Sequence, residues 1–154
     1  MIPEQFYTRD NGEKLLLYDS GNADTERLLI FGSSQTSELL LSEGAVLMAD
    51  GTFSVVPHLF DQLYSIHVFQ NGFVIPCVLA LTSNRRQESY VRIIDVLKQM
   101  HPKINPRMII TDFEKSAINA FSSAFPRSSQ HGCFFHFSQT MWRQVIKCLY
   151  YIYY

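Results

Sequence analysis

Two long apolar segments, Leu63 to Gln70 and Phe73 to Leu81, are separated only by Asn71-Gly72. This pair tolerates positive φ at both positions of a tight turn and is the strongest short signal for a β-hairpin. The chain is therefore expected to fold around an antiparallel pair. Downstream the period changes. Tyr90, Ile93, Ile94, Leu97 and Met100 recur at helical spacing between Gln87 and Met100, and Pro102 ends the run. Arg107 to Thr111 reads as a short strand handing over to Asp112. Glu114 to Ala124 reads as a second helix, with Ala117, Ile118, Phe121 and Ala124 on one face and Pro126 beyond it.

The remaining elements follow from the same rules. Lys14 to Tyr18 and Arg27 to Phe31 are expected as strands joined by the turn residues Asp19-Ser20-Gly21-Asn22. Ser33 or Ser34 is placed to cap a short helix through Leu41. Ala45 to Val56 reads as a strand passing through Asp50. Gly132 to Phe135 reads as a fifth core strand, and Phe137, Met141, Val145 and Leu149 stripe a third helix. Three consecutive strands followed by helix, strand, helix, strand, helix define a mixed α/β sheet with helices on its faces, in the element order of a ribonuclease-H-like fold. Three parts are expected: an upstream segment (1–44) with two short strands and a helix, the core (45–147), and an apolar tail (148–154) that reads as truncated.

Composition bounds the partners. With 154 residues, 47% of them hydrophobic, and with twelve Phe and eight Tyr, the chain has enough apolar surface for one packed domain. No apolar run reaches membrane-spanning length, and Glu4, Arg9 and Asp10 interrupt any signal-peptide core. The odd set Cys77, Cys133 and Cys148 reads as reduced thiols, so the expected location is intracellular rather than secreted. A net charge of −1, with no basic run beyond Arg85-Arg86, disfavours tight unaided binding to duplex DNA.

Two carboxylates stand out by position. Asp50 interrupts an apolar strand, and Asp112 sits where a strand meets a helix. In the expected topology these strands are neighbours, and strand ends are where α/β sheets gather ligand sites. Converging carboxylates suit Mg²⁺, which takes oxygen ligands and retains water. The plainer alternatives are an N-cap for Asp112 and a turn residue for Asp50. Cys133 and His136 have half-zinc-site spacing, with His131 as a third donor, but a packed cysteine and a backbone-bonded histidine are favoured over zinc. Glu114 is expected to point away from Asp112 and serve the helix dipole. His67 is expected as a satisfied sheet histidine, Arg85-Arg86 as solvated charge, and Trp142 as packing.

Three ordered pieces resemble the Mutator-like (MULE) transposase domain. They are Asp50-Gly51-Thr52-Phe53 with Pro57 and Gln62-Leu63-Tyr64-Ser65-Ile66-His67; Thr111-Asp112-Phe113-Glu114 with Ala117 and Ala120; and Gly132-Cys133-Phe134-Phe135-His136-Phe137-Ser138-Gln139. The resemblance implies a nuclear, Mg²⁺- or Mn²⁺-dependent DDE/D nuclease and strand transferase. In it, Asp50 and Asp112 match the first two catalytic aspartates, and Cys133 and His136 match a recurring family mark. The implied partner is DNA at transposon ends, bound chiefly through a longer parent protein, with homo-oligomerisation left open. The family's third acid lies downstream of the Cys-His motif, but no acidic residue follows Glu114 here. The expectation is therefore an incomplete two-ion site in a fragment inactive by itself. The alternative is a retained DNA- or protein-binding module that uses the fold without catalysis.

Overall fold

The computed structural model describes residues 2–53 and 56–153. Its strands are β1 (Leu16–Asp19), β2 (Leu28–Phe31), β3 (Val46–Thr52), β4 (Gln62–Gln70), β5 (Phe73–Thr82), β6 (Met108–Thr111) and β7 (Ser129–Gly132). Its α-helices are α1 (Ser34–Glu38), α2 (Gln87–Met100), α3 (Lys115–Ala124) and α4 (Phe134–Tyr153). All seven strands join one mixed sheet in the order β1-β2-β5-β4-β3-β6-β7. The residues expected at the end of the Ala45–Val56 strand include 54 and 55, which lie outside the described residues.

The expected hairpin is present. Asn71 (φ 53°) and Gly72 (φ 82°) both take the left-handed backbone conformation that a two-residue turn requires, and β4 pairs antiparallel with β5 from Gln70↔Phe73 to Gln62↔Thr82. The pairing skips Cys77 between Ile66↔Val78 and His67↔Pro76. This irregularity accommodates Pro76, which has no N–H to give to a ladder. β3 joins β4 antiparallel and β6 parallel, and β6 joins β7 parallel. Parallel neighbours need crossovers, and α2 and α3 supply them. β1 and β2 extend the same sheet beyond β5.

Strand alternation sorts the faces. Leu47 and Ala49 of β3, and Gln62, Tyr64, Ile66 and Val68 of β4, turn to the buried face with Ile109 of β6. Against them pack Tyr90, Ile93, Ile94 and Leu97 of α2 and Ala117, Ala120 and Phe121 of α3. Each large side chain buried here contributes about 1.5–3 kcal/mol. The opposite face is sparsely covered: Phe69, Val74 and Leu79 are exposed. Val46, Met48 and Asp50 alternate onto that side. Ser33 caps α1 by accepting a bond from the Thr36 amide at 3.0 Å.

The C-terminal elements differ from expectation. β7 is Ser-Gln-His-Gly, three residues earlier than the Gly132 to Phe135 strand read from the sequence. Its register, Met108↔Ser129 to Thr111↔Gly132, closes with the Cys133 amide bonded to the Thr111 carbonyl at 2.7 Å. Helix then begins at Phe134, so Cys133 lies in the link rather than on a strand. A Cβ on Gly132 would meet the Phe113 ring at 2.7 Å, so that exposed ring would have to shift to admit a larger residue. α4 runs on through the supposed tail to Tyr153. Its apolar stripe is largely exposed, and Trp142, expected to pack, is 64% exposed. Among the described residues no helix is long and apolar enough to cross a membrane, and Cys77, Cys133 and Cys148 are all free.

Candidate active site at the tips of the central strands

The parallel register of β3 and β6 runs Val46↔Met108, Leu47↔Ile109, Met48↔Ile110 and Ala49↔Thr111. The next step sets Asp50 beside Asp112. Parallel neighbours lie about 4.8 Å apart, so the two carboxylates share one strand-tip region. Asp50 is in mid-strand and paired with Ser65, whose hydroxyl donates to the Asp50 carbonyl at 3.2 Å; it is not a turn residue. Asp112 follows β6 directly, and its Oδ1 accepts the Glu114 amide at 3.2 Å. That bond makes a local turn. The N-cap of α3 is Glu114, which forms no side-chain cap bond.

The electrostatics of the region are unusual for carboxylates. Burial, first, and the nearby charge of Asp50 push the Asp112 pKa above its ordinary value, against the opposing Glu114 amide and His136. Glu114 is likewise raised, by burial and by Asp112, with Tyr90 and Arg85 opposing. Burial lifts Tyr64 well above the usual phenol value, and the charges of Asp112, Glu114 and Asp50 add to it. Glu114 stands at the start of α3, as the helix-dipole expectation has it, and is close enough to Asp112 to feel its charge.

His136 comes from the first turn of α4 and lies 3.7 Å from Asp50 Oδ1 through Nε2, too long for a hydrogen bond. That oxygen is buried without a partner, although the Asp50 side chain as a whole is 45% exposed. His136 Nδ1 is also buried and unpartnered, so the expected backbone bond is not made. Asp50, His67, Cys133 and His136 line a cavity of about 180 Å³ together with Met48 and Ile110. His67 is not the satisfied sheet histidine expected: its Nδ1 is buried without a partner, and burial lowers its pKa against the pull of Asp50. Among the described residues no three His, Cys, Asp or Glu side chains form a group that could hold a metal ion.

The arginines expected as solvated charge are more than half exposed, and each also has a surface partner. Arg86 pairs with Glu26. Arg85 lies over the Phe53 ring at 4.7 Å and 3.8 Å from Asp61.

A mixed α/β sheet whose central parallel strands present two aspartates side by side defines a protein with a strand-tip acidic site. Residues 46–140 match the MULE transposase domain, and this span carries Asp50, Asp112, Cys133 and His136. The chain belongs to the MULE transposase family. No curated protein matches it.

Proposed function

We infer that the chain is part of a Mutator-like transposase catalytic domain of ribonuclease-H-like fold, working on DNA in the nucleus, with Asp50 and Asp112 as its first two metal-binding carboxylates. Support comes from the family match over residues 46–140 and from the shared register of β3 and β6. The observation that carries the reading is Asp50 Oδ1: a buried carboxylate oxygen with no hydrogen-bond partner, beside a second half-buried carboxylate. An arrangement so costly for the protein alone is relieved by a cation.

The donor set fits magnesium, which favours carboxylate oxygens and keeps several of its waters. When bound, a magnesium pair about 3.5–4 Å apart stabilises charge on the attacking and leaving oxygens of a phosphodiester. Asp50 on β3 and Asp112 just after β6 are the residues that would hold the ion. His136 Nε2 stands 3.7 Å from Asp50 Oδ1, close enough to help orient it. Two aspartates are fewer ligands than a two-ion site takes, and no third ligand-type side chain converges with them among the described residues. The chain alone is therefore proposed to bind a divalent ion weakly and not to cut DNA.

The test is Mn²⁺-dependent nicking of supercoiled plasmid alongside Mn²⁺ calorimetry. The expected result is weak binding that Asp50→Asn removes, with no nicking above background. Robust nicking lost in Asp112→Asn would overturn the proposed inactivity. DNA binding indifferent to both metal and Asp50→Asn, with no Mn²⁺ heat, would favour the binding-module reading instead.

A further inference from the structure

The face of the sheet that α2 and α3 leave open carries a polar pocket. Alternation puts Met48 and Asp50 of β3 on that face, and the register sets Asp50 opposite Ser65 and Met48 opposite His67. His67 is therefore diagonal to Asp50 on the same face, at a separation that long side chains span. β6 brings Ile110 alongside Met48. Cys133 and the start of α4, with Phe135 and His136, complete the lining. Every residue of α4 from Thr140 to Tyr151 is exposed, so the helix meets the rest of the domain through its start, where His136 sits.

Polar atoms from three of these residues are buried without a hydrogen-bond partner among the described residues: Asp50 Oδ1, His67 Nδ1 and His136 Nδ1. Orphaned groups gathered in one place are costly to the fold, which marks the pocket as more than packing. His136 Nε2 and Asp50 Oδ1 approach to 3.7 Å. Hydrogen bonds at catalytic sites are often long before the ligand binds and tighten with it. A small turn of the imidazole closes this gap. A carboxylate oxygen has lone pairs for an ion and for an N–H donor together, so the two roles of Oδ1 do not compete.

We propose that His136 is a positioning residue for the divalent ion: its Nε2–H donates to Asp50 Oδ1 and fixes the carboxylate as the ion binds, while the imidazole itself stays off the ion. This rests on the metal reading above. Direct ligation by the imidazole fits less well, because Mg²⁺ takes oxygen ligands. Among the described residues, moreover, no three His, Cys, Asp or Glu side chains form a group that could hold a metal ion. Carboxylates that ligate metals are themselves hydrogen-bonded by outer partners, and losing such a partner typically costs about 10–100-fold in metal affinity.

The test titrates the full chain with Mn²⁺ by calorimetry and with Mg²⁺ by the shift of the Gly51 amide signal. Wild type is compared with His136→Ala, His136→Gln and Asp50→Asn, with a thermal melt of each. His136→Ala is expected to weaken both ions about 10–100-fold at a nearly unchanged Tm. His136→Gln, whose amide can donate in place of Nε2, is expected to recover most of that loss. A packing role predicts instead a lowered Tm in His136→Ala and no recovered affinity in His136→Gln. Weaker Mn²⁺ binding with Mg²⁺ binding intact would mean that the imidazole ligates the ion, which overturns the proposal. Wild-type affinity in His136→Ala, with binding abolished in Asp50→Asn, overturns this inference alone. Wild-type affinity in both overturns the metal reading with it. His136→Asn, whose amide is too short to reach Oδ1, carries the same prediction as His136→Ala should that variant not fold.

Discussion

Carboxylates at the β1–β2 end of the sheet and carboxylates at the tips of β3 and β6 are treated in opposite ways. At the edge each has its arginine. Arg27 grips Asp19 with two bonds, at 2.9 and 2.6 Å, and Arg92 reaches Asp24 at 2.5 Å and the Glu26 carbonyl at 2.7 Å. The Arg27 bonds hold Asp19 below its ordinary pKa, and bonds from Ser20 and then Arg92 do the same for Asp24. At the strand tips burial, and then the charge of Asp50 on Asp112 and of Asp112 on Glu114, raises both carboxylates. The first set ties elements together. The second is held at a cost to the fold, which marks a place built for a ligand.

The largest stability effect belongs to the edge. Arg92→Ala removes charged bonds to Asp24 and to the Glu26 carbonyl that tie α2 to the loop before β2, and it is expected to lower the chemical denaturation midpoint more than any other change named here. At the site the sign reverses. Asp112→Asn removes a desolvated like charge and is expected to raise Tm by about 2–4 °C, the shift that about 1 kcal/mol gives in a chain of this size. Asp19→Asn is expected to lower Tm. Two melts moving in the same direction would remove the distinction.

The pH dependence follows with opposite slopes. For Asp112 and Glu114 the folded state holds protons more tightly than the unfolded one, whose values lie near 3.8 and 4.5. Their penalty is present above the raised values and is relieved as pH falls through them toward the unfolded values. For Asp19, whose folded value is depressed below 3.8, the contribution is present above 3.8 and is lost as pH falls through the lowered value. Stability measured from pH 7 downward should therefore lose its upper relief in Asp112→Asn/Glu114→Gln and keep the lower loss. The smallest effect isolates burial without neighbouring charge. Burial pushes the Cys77 thiol up to about 11, so native alkylation near pH 8 should reach Cys133 and Cys148 and spare Cys77, as mass spectrometry of the labelled chain would show.

The same contrast explains how much was legible in the sequence. Local chemistry was readable. Asn71-Gly72 admits one kind of turn, Ser33 supplies a cap, and the α2 stripe has the helical period over its full length, Gln87–Met100. The adjacency of Asp50 and Asp112 followed from topology, because a meander followed by strand-helix units brings β6 against β3. The misread parts depend on tertiary contacts. β7 is polar and half exposed, so its pairing with β6 outweighed strand propensity, while Cys133-Phe134-Phe135 looked more strand-like and starts a helix instead. Glu114 and His136 join the aspartates only through helix placement. The one hint was that a glutamate follows Asp112 by two residues while Gln62, Tyr64 and Tyr90 interrupt apolar stripes.

Mn²⁺-induced paramagnetic broadening of backbone amide signals tests the central claim most directly, because it reports where the ion sits. Substoichiometric Mn²⁺ should first erase the amides of Gly51, Phe113 and Glu114, leave those of Asp19, Asp24 and Glu26 sharp, and lose this pattern in Asp50→Asn. Broadening that begins at the β1–β2 edge, or that persists unchanged in Asp50→Asn, would contradict it.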